Sequence, residues 1–328
     1  MLARDVGVVV IGRNEGERLL KCFSSLGPQA DRVVYVDSGS TDGSPEAAEK
    51  MGHLVVRLDS TLPFTAARAR NEGSLAARHR WPSLRYIQFL DGDCELISEW
   101  LEIAYGFMES HPNVAAVCGR RREKWPDQSI YNKLCDLEWA TPVGEAIACG
   151  GDSFVRVPAL EMAGGFRAEL IAGEEPEMCL RLRECGWTIW RLDTEMTAHD
   201  AAMKHFRQWW IRAMRGGYGY AQVTCLHRGS RFGLWRREVR SAIIWTAGLP
   251  LFLALGLSIT PIFFALLAIY PIQISRMAIK RNTLDPLSWI SSYFIMLAQF
   301  AAFVGIFKFI WNKAMHRGSR IIEYKRAG

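Results

Sequence analysis

No CxxC pair and no zinc-like spacing occurs among the eight cysteines, at 22, 94, 118, 135, 149, 179, 185 and 225. In a chain of 328 residues this excludes a small disulfide scaffold and a finger-type metal module, and the cysteines are expected as small core residues. The first residues, MLARDVGVVVIG, lack the long apolar stretch of a secretory leader, so the front domain is expected in the cytosol. Acids are scarce at the other end. From residue 233 onward twelve Lys and Arg stand against Glu238, Asp285 and Glu323, a balance of +9, whereas residues 1–232 hold 28 bases and 31 acids, a balance of −3.

Charge of either sign is absent from residues 241–275, 35 positions, and from 286–307, 22 positions. A bilayer core needs roughly 20 apolar residues per helix, so both runs are expected to be membrane segments. Their flanks, Arg236, Arg237, Arg240, Arg276, Lys280, Arg281, Lys308 and Lys313, suit lipid headgroups, and the basic end is read as membrane-facing rather than nucleic-acid-binding. Pro250, Pro261 and Pro271 interrupt the longer run, which fits one tilted helix, a kinked helix or a helical hairpin. The division expected is a front domain over 1–232, with an interfacial helix near 203–220, and an anchoring region over 233–328.

What is present in the first ninety residues is a regular alternation. VGVVVIG, RVVYVD, LVVRLD and YIQFLD are short apolar runs fit for buried strands. Between them lie three helical stretches. EGERLLKCFSSLG has helically spaced Leu19, Leu20, Phe23 and Leu26 and is closed by Gly27 and Pro28; SPEAAEKMG has Ser44 as its expected cap and Pro45 in its first turn; FTAARARNEGSLAAR is the third. Strands separated by helices imply a mostly parallel, Rossmann-like α/β sheet. Ligands bind at the carboxyl ends of such strands. The polar clusters RNEG, DSGSTDGS and DGD each follow a strand directly, so they converge on one edge.

Asp91 and Asp93 are separated only by Gly92. Carboxylates that close raise each other's pKa unless a cation lies between them. Hard oxygen ligands suit Mg²⁺ or Mn²⁺, and Gly92 is expected to leave room for a ligand. Further on, Pro176 fits the first turn of a helix with Met178, Leu182 and Cys185 on its apolar face, which puts Glu174 and Glu175 at its N-terminus. The helix dipole there favours ionised carboxylates.

IGRNE (11–15), VDSGSTDGS (36–44), ARARNEG (67–73), FLDGD (89–93), GGDSFVRVPALEMAGGF (150–166) and GEEPEMCLRLRECGW (173–187) together resemble the ordered motifs of family 2 glycosyltransferases with the GT-A fold, over roughly residues 5–200. The resemblance implies a nucleotide-sugar donor. It gives Asp37 the reading of the base and places Asn14, Glu15, Arg70 and Asn71 near the donor. Asp91 falls near the ribose, and Asp93 on a metal, Mn²⁺ or Mg²⁺, that bridges the diphosphate. In related enzymes a histidine in the region of His199 completes the metal site, and Asp200 beside it is a competing ligand. Glu175 matches the family's catalytic aspartate. This chain has Glu-Glu where the family usually has Glu-Asp, and the extra methylene shifts the carboxylate by roughly one carbon–carbon bond, a displacement to which catalysis is sensitive.

The implied reaction is inverting transfer of a sugar to a membrane-associated, lipid-linked or saccharide acceptor in polysaccharide synthesis, at the cytosolic face of the cytoplasmic membrane. QWWIR does not reproduce the QxxRW signature of processive members, so addition of one or few sugars is expected. Trp209, Trp210, Ile211 and Met214 interleave with Arg207, Arg212 and Arg215, a mix that suits either a membrane interface or packing against protein. A sugar-phosphate nucleotidyltransferase would need a Gly-rich, Arg-containing loop after the first strand, and IGRNEGERL has none. A non-catalytic membrane scaffold would tolerate loss of Asp37, Asp91, Asp93 or Glu175, all of which are present.

Overall fold

The computed structural model describes residues 4–27 and 31–316 and divides into two compact units, 1–204 and 205–328. Pro28 and the basic residues after His316 lie outside the described residues. The first unit alternates as its sequence predicts: β1 (Val6–Gly12), α1 (Glu17–Leu26), β2 (Val33–Asp37), α2 (Ser44–Lys50), β3 (Leu54–Arg57), α3 (Ala66–Arg80) and β4 (Tyr86–Asp91). Thr65 caps α3 by accepting from the Arg68 amide. Ser44 is the first residue of α2 rather than its cap, because Asp42 accepts the Ser44 amide from the preceding turn.

After β4 come β5 (Cys94–Leu96), α4 (Trp100–Ser110), β6 (Val114–Glu123), α5 (Ile130–Glu138), β7 (Gly144–Glu145), β8 (Ser153–Arg156), α6 (Val157–Met162), α7 (Glu174–Glu184) and β9 (Thr188–His199). The sheet runs β3-β2-β1-β4-β8-β6-β9-β5, with β7 on β9. The four leading strands are parallel, while β8 enters antiparallel beside β4 and β6. Two apolar layers cover it: one holds Leu19, Phe23, Trp100 and Met108, the other Ala67, Ala77, Phe166 and Met178.

Register brings the strand ends level, since Gly12 pairs with Asp37, and Ile11 with Asp91. Gly92 is also required by the fold itself. A Cβ there would stand 3.2 Å from the Ile11 carbonyl, to which the Gly92 amide also donates at 2.8 Å; the close approach is that of β1. The cysteines also split: Cys22, Cys94, Cys118, Cys135 and Cys179 are buried, Cys149 and Cys225 are half-buried, and Cys185 is exposed. Cys185 ends α7 instead of facing its core, and Met178, Cys179, Leu180 and Leu182 form the buried side.

In the second unit, α8 (Phe206–Leu226) is followed by α9 (Arg236–Ile243), a π-helical turn, α10 (Leu249–Leu257), a 3₁₀ stretch from Pro261, α11 (Ile269–Arg281) and α12 (Pro286–Ala314). Three continuous helical stretches, Arg236–Leu257, Pro261–Arg281 and Pro286–Ala314, are long and apolar enough to cross a membrane. The longer uncharged run is thus two helices broken at residues 258–260, where Thr260 caps the second by accepting from the Ile262 amide. Trp209 of α8 is buried and meets Phe294 of α12 edge-on at 4.9 Å. Gly217 and Gly305 let the two backbones touch, since a Cβ on either would collide with the facing main chain. Packing against protein takes up much of the aromatic face expected at an interface.

Candidate active site

Asp37, at the end of β2, is buried and folds back on its own turn: Oδ2 accepts the amides of Gly39 at 2.9 Å and Ser40 at 3.0 Å, and Oδ1 accepts the Tyr35 hydroxyl at 3.2 Å. Asn14, held at φ +54°, ties the turn after β1 to the turn after β2. Its amide donates to Ser40 Oγ at 2.9 Å and its Oδ1 accepts the Thr41 amide at 2.7 Å. Glu15 pairs with Arg18 at 2.7 Å. These residues shape the rim of the strand-end edge.

At its centre lies a network of charges. Arg70, only 2% exposed, reaches Asp91 with Nη2 at 2.8 Å and Glu174 with Nη1 at 2.6 Å. Burial works against its charge, but Asp91 and Glu174 outweigh it and hold its pKa above the ordinary Arg value. Arg121 contacts Asp152 at 2.7 Å and Asp91 at 3.8 Å. Asp152, fully buried, also accepts the Asp91 amide at 3.0 Å and the Thr197 hydroxyl at 2.9 Å. Sequence reasoning missed Asp152 and Arg121. The signal available was a lone acid between two glycines and an apolar strand; the RRR of β6 reads as a solvated charge run.

Asn71 is placed apart from these charges. Its amide donates to the Phe166 carbonyl at 2.7 Å, and its carbonyl accepts the Phe166 amide at 2.8 Å. Both ends are therefore occupied in anchoring the 163–166 turn.

Asp93 and His199 are both buried, and His199 Nε2 stands 3.3 Å from Asp93 Oδ2. The pairing of β5 with β9 makes this contact, because Cys94 is in register with His199. Donor atoms of Asp93, Cys94 and His199 lie within 4.8 Å of one another. Burial, with the nearby Asp152, pushes the Cys94 thiol well above its usual range, and of the three groups the carboxylate and the imidazole are the donors that suit a hard divalent cation. His199 Nδ1 is buried without a hydrogen-bond partner. Asp200 turns away, its Oδ1 accepting the Ala202 amide at 3.0 Å. Four carboxylates (Asp91, Asp93, Asp152, Glu174) against two guanidiniums (Arg70, Arg121) leave this edge at a formal −2. An oxygen- and nitrogen-rich donor set with that balance fits Mn²⁺ or Mg²⁺.

Glu175 is 2% exposed. Its Oε1 accepts the Cys149 amide at 2.6 Å and the Cys179 thiol at 2.8 Å, and its Oε2 accepts the Gly150 amide at 2.8 Å. It points into the protein, whereas Glu174 turns to Arg70 with its side chain 13% exposed. Burial raises the Glu175 pKa, against the stabilising pull of Cys179 and the two amides. The folded protein therefore holds a proton there more tightly than the unfolded chain. That contribution is full below the ordinary Glu value of 4.5 and is lost as pH rises through the folded value. Urea titrations across a pH series are expected to show wild-type stability falling relative to Glu175→Gln as pH rises from the ordinary value of 4.5 to the folded value, and levelling off above it. A pH-independent difference would mean that the carboxyl is not perturbed by burial.

Residues 7–150 match the family model described as Glycosyl transferase family 2. Glycosyltransferase AglE of Haloferax volcanii is 26% identical over 253 residues, 73% of this chain and 79% of that protein. Pre-mycofactocin glycosyltransferase of Mycobacterium tuberculosis is 27% identical over 243 residues, 68% of this chain and 48% of its own length. Among solved structures, the mannosyltransferase PcManGT of Pyrobaculum calidifontis, in complex with GDP-Man and Mn²⁺, superposes with a TM-score of 0.63 at 18% identity, covering 94% of this chain and 88% of that one. That likeness establishes the GT-A fold.

Proposed function

We propose that this chain, a family 2 glycosyltransferase, moves a sugar from a nucleotide-diphosphate donor to a lipid-linked or saccharide acceptor held at a membrane, in an inverting displacement. The observation that carries the reading is the buried Asp93–His199 pair, set beside an acid-rich edge where the ends of β1, β2 and β4 are level. PcManGT, with its GDP-Man and Mn²⁺, supports the same donor chemistry.

Asp93 and His199 would hold Mn²⁺ or Mg²⁺, with Asp91 close by. When bound, such an ion neutralises charge on the departing diphosphate. Asp37 and the Asn14 turn form the wall toward the base, Asp91 faces the ribose, and Arg70 fixes Asp91 in place. The acceptor hydroxyl gives up its proton to a carboxylate of the Glu174–Glu175 pair at the N-terminus of α7. Three helices long and apolar enough to cross a membrane support an acceptor presented at a bilayer, with the catalytic unit on its cytosolic side and polysaccharide assembly as the setting.

The test is thermal stabilisation of the detergent-solubilised protein by UDP, GDP, dTDP and CMP, each with Mn²⁺ and with EDTA. A ligand at 100 times its Kd adds about 2.7 kcal/mol to the native state. One diphosphate stabilising only with metal is expected, and it identifies the donor class. No response to any of the four would overturn the reading in favour of a membrane scaffold.

A further inference from the structure

Glu175 carries out a task that its place in the sequence does not announce. Both its oxygens are committed to consecutive amides, Cys149 at 2.6 Å and Gly150 at 2.8 Å, and the turn they hold has Gly150 at φ +95°. The next residue, Gly151, touches the charged network directly: a Cβ there would stand 2.9 Å from Asp91 Oδ2, 3.0 Å from Arg70 Nη2 and 3.3 Å from Arg121 Nη2. The residue after that, Asp152, accepts the Asp91 amide at 3.0 Å and contacts Arg121 at 2.7 Å. Four consecutive residues thus connect the Glu175 carboxylate to the backbone and the side chain of Asp91.

We propose that Glu175 is a positioning residue: its carboxylate clamps the Cys149–Gly150 turn and thereby sets Gly151 and Asp152 against Asp91. The clamp explains why this chain has Glu at this position. An Asp carboxylate is shorter by one carbon–carbon bond, about 1.5 Å, and falls short of the two amides. The site needs Gly at 151 for the same reason, because any side chain would displace Asp91 or the arginines. Glu174 remains the member of the pair that faces Arg70 and the open side of the site.

This inference rests on the transferase reading for its consequence, but its geometry can be tested separately. Hydrogen–deuterium exchange of the full chain in detergent would follow the amides of residues 149 and 150 in wild type, Glu175→Gln and Glu175→Asp. Binding of Mn²⁺ alone would be followed by electron paramagnetic resonance. A hydrogen bond to a charged acceptor corresponds to a protection factor on the order of 10- to 100-fold. Protection and Mn²⁺ affinity are expected to fall in the order Glu, Gln, Asp, because Gln retains the length and one acceptor oxygen.

If Glu175 acts instead as the exposed base, Asp leaves both readouts at the wild-type level and supports turnover, while Gln abolishes turnover. That order would overturn the proposal. Cys179→Ala removes only the thiol and is expected to leave Mn²⁺ affinity unchanged, which controls for a general loosening of α7. Wild-type protein that protects the two amides yet binds no Mn²⁺ would remove the transferase reading and leave the clamp standing.

Discussion

Asp93→Asn is expected to lower metal-dependent transfer by on the order of 10²–10³-fold or more, with the fold intact. Asn keeps the shape of the side chain and can still hydrogen-bond the imidazole 3.3 Å away at His199, but it lacks the negative charge that holds a divalent cation. The metal-free variant should melt no lower than wild type, because one of four clustered carboxylates has been neutralised and functional sites carry such strain at the expense of stability. The stabilisation that Mn²⁺ and a nucleoside diphosphate confer on wild type should vanish. Measuring melting with and without Mn²⁺ therefore separates loss of the metal from loss of the fold. Undiminished Mn²⁺-dependent turnover in Asp93→Asn would move the metal to another part of the edge.

The front half of the sheet could be read from sequence because its signals are local. Four apolar runs alternate with helices closed or opened by Gly27, Pro45 and Thr65, and each polar cluster follows its strand. The second half could not be read that way. Strand β8 has four residues and β5 three, too few to show a period, and only tertiary pairing makes β8 antiparallel in the middle of the sheet.

Site geometry followed the same division. Asp37, Asp91 and Asp93 were visible as acids at strand ends, whereas the role of Asp152 depends on where β8 inserts. The inward turn of Glu175 depends likewise on a 25-residue separation from Gly150. In the tail, three prolines look alike in sequence. Pro250 and Pro271 are absorbed near the starts of α10 and α11, while Pro261 follows the Thr260 cap. Only that last position divides the run.

Arg70→Met is expected to destabilise the first unit by several kcal/mol. Arg70 is 2% exposed and serves Asp91 and Glu174 with opposite ends of one guanidinium. Arg70→Met leaves Glu174 without the guanidinium it faces and Asp91 with only Arg121 at 3.8 Å, and breaking a buried pair from one side costs about 3–5 kcal/mol. The lower end, about 3 kcal/mol, is expected here because the Asp91 side chain is 28% exposed and water screens part of its charge.

Arg70→Lys distinguishes charge from shape. A single ammonium cannot take the place of a planar fork spanning two carboxylates, so Lys should restore part of the stability and little of the activity. Its Asp91 is no longer held against Asp152 and Gly151 at the distances the site uses. Urea midpoints read at an unchanged m-value give the stability series, and donor turnover gives the other. If Lys matches Arg in both, Arg70 supplies only charge, and the placement of Asp91 must come from Asp152 and the turn that Glu175 holds.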